Sequence, residues 1–231
     1  MTQHIGIVAC SAEGAALCYR TIAAEGAALM GRHDHPEVTL HTFPLAQYMA
    51  PIYDGDWEGV AELMVASAEK VAGAGADFAI CPDNTIHQAF DLVLPRSPIP
   101  WLHIAEEVAQ EAACRGFRRL ALTGTRYLME GPVYPARVAA QGLDCVIPHA
   151  PERAEINRII FDELVSGVFT VEARDYFQRV IARLMLEEGC DAVILGCTEI
   201  PLLITPESSP LPVLDSTRLL ARAALRRAIG L

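Results

Sequence analysis

One spacing constrains this chain more than any other feature. The segment Gly75-Ala-Asp77-Phe-Ala-Ile-Cys-Pro-Asp83-Asn84-Thr85 parallels Gly189-Cys-Asp191-Ala-Val-Ile-Leu-Gly-Cys197-Thr198-Glu199 at a shift of 114 residues. Each copy runs glycine, any residue, aspartate, a short apolar stretch, and then a reactive side chain six positions after the aspartate. Apolar runs of this length, bounded by turn residues, read as strands buried on both faces, as in a parallel sheet. The same shift carries Cys10-Ser11 onto Gly124-Thr125, again just beyond an apolar run. Two strand ends that agree on one shift predict an internal duplication, with Asp83 and Cys197 at equivalent places in two half-molecules.

Helical patterns separate these strands throughout. Strands alternating with helices imply parallel sheets joined by right-handed crossovers. The expected fold is therefore α/β, with two pseudo-symmetric lobes, each a parallel sheet flanked by helices, and the active site in the cleft between them. The first lobe is assigned residues 1–104 plus 206–231, the C-terminal strand and helix returning to it, and the second lobe residues 105–205. Residues 101–104 read as a strand, and 44–57, with its Pro51 and Gly55, as a long irregular segment of the kind that forms lids.

Composition narrows the partners. The 231-residue chain has a formal charge of −11 and no cluster of Lys or Arg, which argues against nucleic acid and against an anionic membrane surface. No apolar run is long enough to span a bilayer, and the N-terminus lacks the basic start of a signal peptide. The seven cysteines, an odd number without a C-x-x-C, suit reduced thiols in the cytoplasm and support no zinc site. There is neither a G-x-G-x-x-G after the first strand nor a Walker A sequence, so bound nucleotide is not expected.

In open α/β sheets, ligands bind outside the carboxyl ends of the strands, which is where Asp83 and Cys197 fall. One proton-transferring group on each side of a carbon can remove a proton from one face and return it to the other, the logic of cofactor-free racemisation. A strand-end thiol serves if its thiolate is accessible, and the helix after Cys197 is expected to offer amides that favour it. Ser11, Asn84, Thr85, Thr125 and Thr198 supply neutral hydrogen-bond groups that can cradle a carboxylate near helix N-termini, and Thr198 and Glu199 can orient the thiol or bind substrate. Capping is the alternative role for these hydroxyls, as it is for Asp83. His87 is a further candidate, and Cys81, two residues back on its strand, is expected to pack within the sheet.

Several stretches carry a resemblance. Gly-Cys197-Thr198-Glu199-Ile-Pro, Asn84-Thr85-x-His87, Gly124-Thr125-Arg126-Tyr-Leu-Met129-Glu, the run from Ile156 to Gly167, and Asp215-Ser-Thr together resemble the aspartate/glutamate racemase family over nearly the whole length. The resemblance implies two α/β lobes with the site between them, no pyridoxal phosphate or other cofactor, a small carboxylate or amino-acid substrate, and a homodimer. It assigns Cys197 and Asp83 as the acid/base pair acting on aspartate, glutamate or a related acidic amino acid. It also places Ser11, Asn84, Thr85, Thr125, Thr198 and Glu199 at the substrate. The departure lies at position 83, where the family pattern has cysteine and this chain has Asp83; a carboxylate is the weaker base, at about 3.9 against about 8.5. Two further departures are Leu128 in place of a threonine and the absence of a cation in 44–57. A single remaining thiol also fits a lyase or isomerase of the same superfamily, arylmalonate decarboxylase-like or maleate isomerase-like. Loss of half the pair fits a small-acid binder.

Overall fold

The computed structural model describes residues 2–231. In chain order its first part runs β1 (Ile5–Ala9), α1 (Ala12–Met30), β2 (Val38–Thr42), α2 (Leu45–Asp54), α3 (Trp57–Gly73) and β3 (Phe78–Ile80). A 3-10 turn over Thr85–Ala89 leads into α4 (Phe90–Val93) and then α5 (Ile104–Cys114). The second part runs β4 (Arg119–Thr123), α6 (Arg126–Met129), α7 (Pro135–Ala140), β5 (Asp144–Val146), α8 (Ala150–Asp162) and α9 (Val171–Glu188). It closes with β6 (Ala192–Leu195), α10 (Ile200–Leu203), β7 (Val213–Asp215) and α11 (Ser216–Ile229).

The duplication is visible in the strands. One sheet has the order β2-β1-β3 and the other β5-β4-β6-β7, all parallel. Shifting β1 by 114 residues lands on β4, and shifting β3 lands within β6. The glycine and aspartate that precede the matched strands have a structural task. Gly75 and Gly189 turn the chain at φ 101° and 69°, which suits a residue without a Cβ. Asp77 then accepts the His4 backbone N–H at 2.7 Å, and Asp191 accepts that of Arg118 at the same 2.7 Å. In each half, one carboxylate ties the start of the central strand to the strand beside it.

Compact units divide the chain at 1–104 with 217–231, and at 105–216. This corrects the expected return at residue 206. The strand β7 pairs with β6 in the second sheet, Ile194 beside Leu214, and only α11 belongs to the first unit. Only a short apolar stretch, Leu211 to Leu214, is available to extend a sheet edge, and β6 is the edge it follows. In the first sheet the corresponding place is taken by a single bridge from Trp101 to Ala79, so the expected strand over 101–104 is reduced to that bridge before α5 begins.

Buried alternation explains the core of the first unit. Ile5, Ile7 and Ala9 of β1 point to one face, where Ala15, Cys18 and Ile22 of α1 and Leu220, Ala221, Ala224 and Ala228 of α11 meet them. These spacings of three and four are the stripe a helix buries. On the other face α3 buries Val60, Met64, Ala68 and Val71. With both faces covered, β1 is buried at every residue.

Residues 44–57 are not irregular: 45–54 form α2, with Pro51 inside it. Its Tyr48 and Ile52, one turn apart, are buried, which anchors the helix despite the proline. Gly55 ends it in the left-handed conformation, with its N–H and that of Asp56 donated back to Ile52 and Pro51.

Burial also sets a pH dependence. Cys81 and Tyr134 are fully buried, and burial is the main cause that raises both ionisations. The Cys145 thiol is pushed up to about 12, by burial first and the neighbouring Cys190 second. Such groups keep their protons longer in the folded protein, so the unfolded chain binds fewer protons once pH passes the ordinary thiol value of 9.0. Stability is then full below that value and falls as pH climbs toward 12. The urea midpoint is expected to hold at about pH 7–8 and to fall above pH 9, at about 1.4 kcal/mol per pH unit for each such group. An unchanged midpoint at about pH 10.5 would overturn this account.

Candidate active site

The second unit builds its reactive end from two glycines and one strand. The Gly196 N–H donates to the Thr123 carbonyl at 2.8 Å, continuing the β4–β6 ladder one residue past the strand. A Cβ on Gly196 would sit 2.8 Å from the Thr123 carbonyl oxygen and against the Leu128 side chain. Leu128 is fully buried beneath Gly124 and Gly196 and fills the space their missing side chains leave. Its apolar character is thus a matter of support beneath the strand ends.

Cys197 follows this close approach and is buried. Its Sγ donates to Glu199 Oε2 at 2.8 Å, both side chains lying away from solvent. Glu199 occupies the N-cap position of α10 without a side-chain cap bond, its carboxylate turned instead to the thiol. The helix expected to favour the thiolate is a single turn of four residues, so few amides are aligned there. The bond to Glu199 sets a carboxylate beside the thiol, a base that can accept its proton. Thr198 is buried between the two.

Thr125 caps α6, its Oγ1 accepting the Leu128 N–H at 3.2 Å. Ser11 does the same for α1, accepting the Gly14 N–H at 3.3 Å. These two residues are related by the duplication, and in both halves the hydroxyl oxygen is the N-cap acceptor.

In the first unit, Asp83 stands three residues beyond β3, half-buried, with Asn84 buried and Thr85 half-buried beside it. His87 fixes this turn. The Ile104 N–H donates to His87 Nε2 at 3.4 Å, which leaves Nδ1 as the protonated nitrogen that donates to the Asp83 carbonyl at 2.8 Å. The imidazole is buried, stacked on Phe90 at 5.3 Å and edge-on to His103 at 4.8 Å. His87 therefore positions the Asp83 backbone, with its ring set by the distant Ile104 N–H. Cys81 is fully buried in the sheet, as expected, and its thiol is held well above the ordinary range by burial and then by Asp83. Arg126 is exposed, lying over the Tyr127 ring.

Among the described residues, no group of three or more His, Cys, Asp or Glu is arranged to hold a metal, and no helix is long and apolar enough to cross a membrane. What the strand ends offer is proton transfer: a thiol with a carboxylate partner in one half and a carboxyl group in the equivalent place of the other. A sequence model of the Asp/Glu/Hydantoin racemase family matches residues 5–224.

The chain belongs to the Asp/Glu/hydantoin racemase family.

It is accordingly an isomerase of the racemase class. The crystal structure of a candidate Asp/Glu racemase from Yersinia pestis is 31% identical, covers 98% of this chain and 99% of its own, and superposes with a TM-score of 0.90. An aspartate racemase homologue from Pyrococcus horikoshii OT3 is 29% identical, with a TM-score of 0.84 and coverage of 98% and 99%. The broad specificity amino-acid racemase RacX of Bacillus subtilis (strain 168) is 22% identical over 195 residues, 83% of this chain and 82% of its own length. The two-lobed architecture expected from the duplication is that of racemase structures.

For this racemase, Glu199→Gln keeps an acceptor for the thiol but cannot take its proton. Turnover of the enantiomer whose α-proton would go to Cys197 is expected to fall about 10²-fold near neutral pH and to recover partly as pH approaches about 8.5, where a thiol ionises unaided. A pH profile of the variant parallel to that of the wild type would rule out proton sharing between Glu199 and Cys197.

Proposed function

We propose that this racemase epimerises the α-carbon of aspartate, glutamate or a related acidic amino acid, without pyridoxal phosphate, using Asp83 and Cys197 on opposite faces of the carbon. The observation that carries the reading is the equivalence of these two residues under the duplication, with the Cys197 thiol already donating to the buried Glu199 carboxylate. A relative described as an aspartate racemase homologue, 29% identical over nearly the full chain, supports the acidic class of substrate.

Asp83 takes the α-proton of one enantiomer, and Cys197 returns a proton to the opposite face. The cycle closes when the protonated Asp83 gives its proton to water and the Cys197 thiolate takes one back from water, with the Glu199 carboxylate beside it to relay that proton. Ser11, Asn84, Thr85, Thr125 and Thr198 supply hydrogen-bond groups around the substrate's carboxylate and amine. The protein works as a cytoplasmic homodimer, a state that light scattering of the pure protein tests directly.

The deciding experiment incubates pure protein with L-aspartate and L-glutamate in deuterated water without added cofactor. α-Deuterium and the D-isomer are expected to accumulate together. Absence of both across acidic amino acids would remove the reading. Carbon dioxide release from substituted malonates, lost in Cys197→Ser, would replace it with decarboxylation.

A further inference from the structure

Tyr48 is held in a way the fold alone does not explain. The residue is fully buried, and its hydroxyl has no hydrogen-bond partner among the described residues. Leaving a buried hydroxyl unpaired is costly, and native structures seldom do so. A phenylalanine would fill the same space and make the same contacts through α2 without that cost.

Its place in the fold says what the missing partner is near. In the first sheet Ala9 lies beside Thr42, and Ile7 beside Ile80, so β1, β2 and β3 all leave the sheet at the same edge. Cys10 follows β1, Asp83 follows β3, and α2, which opens three residues after β2, carries Tyr48 in its first turn. The phenol's ionisation is opposed first by burial and then by Cys81, Cys10 and Asp83, the groups that surround this edge. The hydroxyl thus remains a protonated donor at any working pH. No lysine or arginine occurs between Arg32 and Lys70, so neither β2 nor α2 brings a cation to this edge.

We propose that Tyr48 Oη is a substrate-positioning donor, kept unpaired in the ligand-free protein for a carboxylate oxygen of the substrate at the strand ends of the first unit. The proposal rests on the racemase reading for the identity of the substrate. It adds that a neutral phenol, in place of a cation, recognises the carboxylate.

The test compares wild type with Tyr48→Phe in three measurements. Melting of the ligand-free variant is expected to equal or exceed that of wild type, because the deleted hydroxyl had no partner. Glutarate, a dicarboxylate without an amine or a stereocentre, is expected to bind wild type about tenfold tighter than the variant, as loss of a hydrogen bond to a charged group implies. The KM for L-glutamate should rise by a similar factor, with a smaller change in kcat. Equal glutarate affinity in the two proteins, or no glutarate binding to wild type, overturns the proposal. A variant that melts lower with KM unchanged overturns it too, and assigns the hydroxyl to a buried water. Wild type that binds glutarate through Tyr48 yet exchanges no α-proton would sink the racemase reading and leave this inference standing.

Discussion

Cys197→Ser is expected to lower racemisation by on the order of 10²–10⁴-fold, the range that a positioned acid or base contributes. Serine is the informative replacement. Its hydroxyl can still donate to Glu199, the bond the thiol makes at 2.8 Å, so the buried carboxylate keeps a partner and the fold is preserved. Alanine would leave that carboxylate unpaired, at a cost of about 1–3 kcal/mol or more, and would confuse stability with chemistry. What serine loses is acidity, since an alkyl hydroxyl neither gives up nor takes a proton in the range where a thiol does. The readout is α-deuterium exchange by NMR for each enantiomer separately, with circular dichroism as the control for folding. With Cys197 on one face only, the serine variant should lose exchange of one enantiomer and retain slow exchange of the other. A folded serine variant with wild-type rates would remove Cys197 from the chemistry.

Position 83 gives the complementary result. Asp83→Asn is expected to reduce racemisation by a comparable 10²–10⁴-fold, on the order set by the same argument, and to abolish exchange of the enantiomer that Cys197→Ser spares. Asp83→Cys is expected to raise turnover in both directions. A carboxyl group with a reference value of about 3.9 and a thiol at about 8.5 favour one charge arrangement, Asp ionised and Cys protonated, by about 4.6 units. The reverse direction needs the rare arrangement, and the enzyme must return from it after every forward turnover. Because the two enantiomers are equal in free energy, kcat/KM has to be the same in both directions. The imbalance must therefore show in kcat and KM separately, with one enantiomer bound more tightly and turned over more slowly. Two thiols would level the arrangements and bring the two kcat values together. Measuring kcat and KM for both enantiomers of aspartate and glutamate in each variant decides the matter. Unchanged or lost activity in a folded Asp83→Cys protein counts against Asp83 as the opposing base.

Much of this was legible in the chain itself. The alternation of strand and helix, the shift of 114 residues and the strand ends at Asp83 and Cys197 follow from residue order, and β1 and β4 stand that far apart. Buried parallel strands need short unbroken apolar runs, and such runs end where glycine or a polar residue must turn the chain. The N-cap roles of Ser11 and Thr125 were readable for the same reason, since capping is decided within four residues. Tertiary structure alone decided other features. Residues 45–54 coil into α2 because Tyr48 and Ile52 find a buried place, which outweighs the proline between Tyr48 and the helix end. The strand β7 joins β6, and α11 joins the first unit, because a strand edge and an apolar helix face take whatever partner the fold brings to them. Glu199 turning to the thiol, His87 fixing the Asp83 backbone and the unpaired hydroxyl of Tyr48 likewise depend on neighbours distant in sequence or on side-chain direction. Residue order carries local and periodic information, and it specifies the scaffold and where its reactive ends lie; which groups those ends touch is set only when the chain packs.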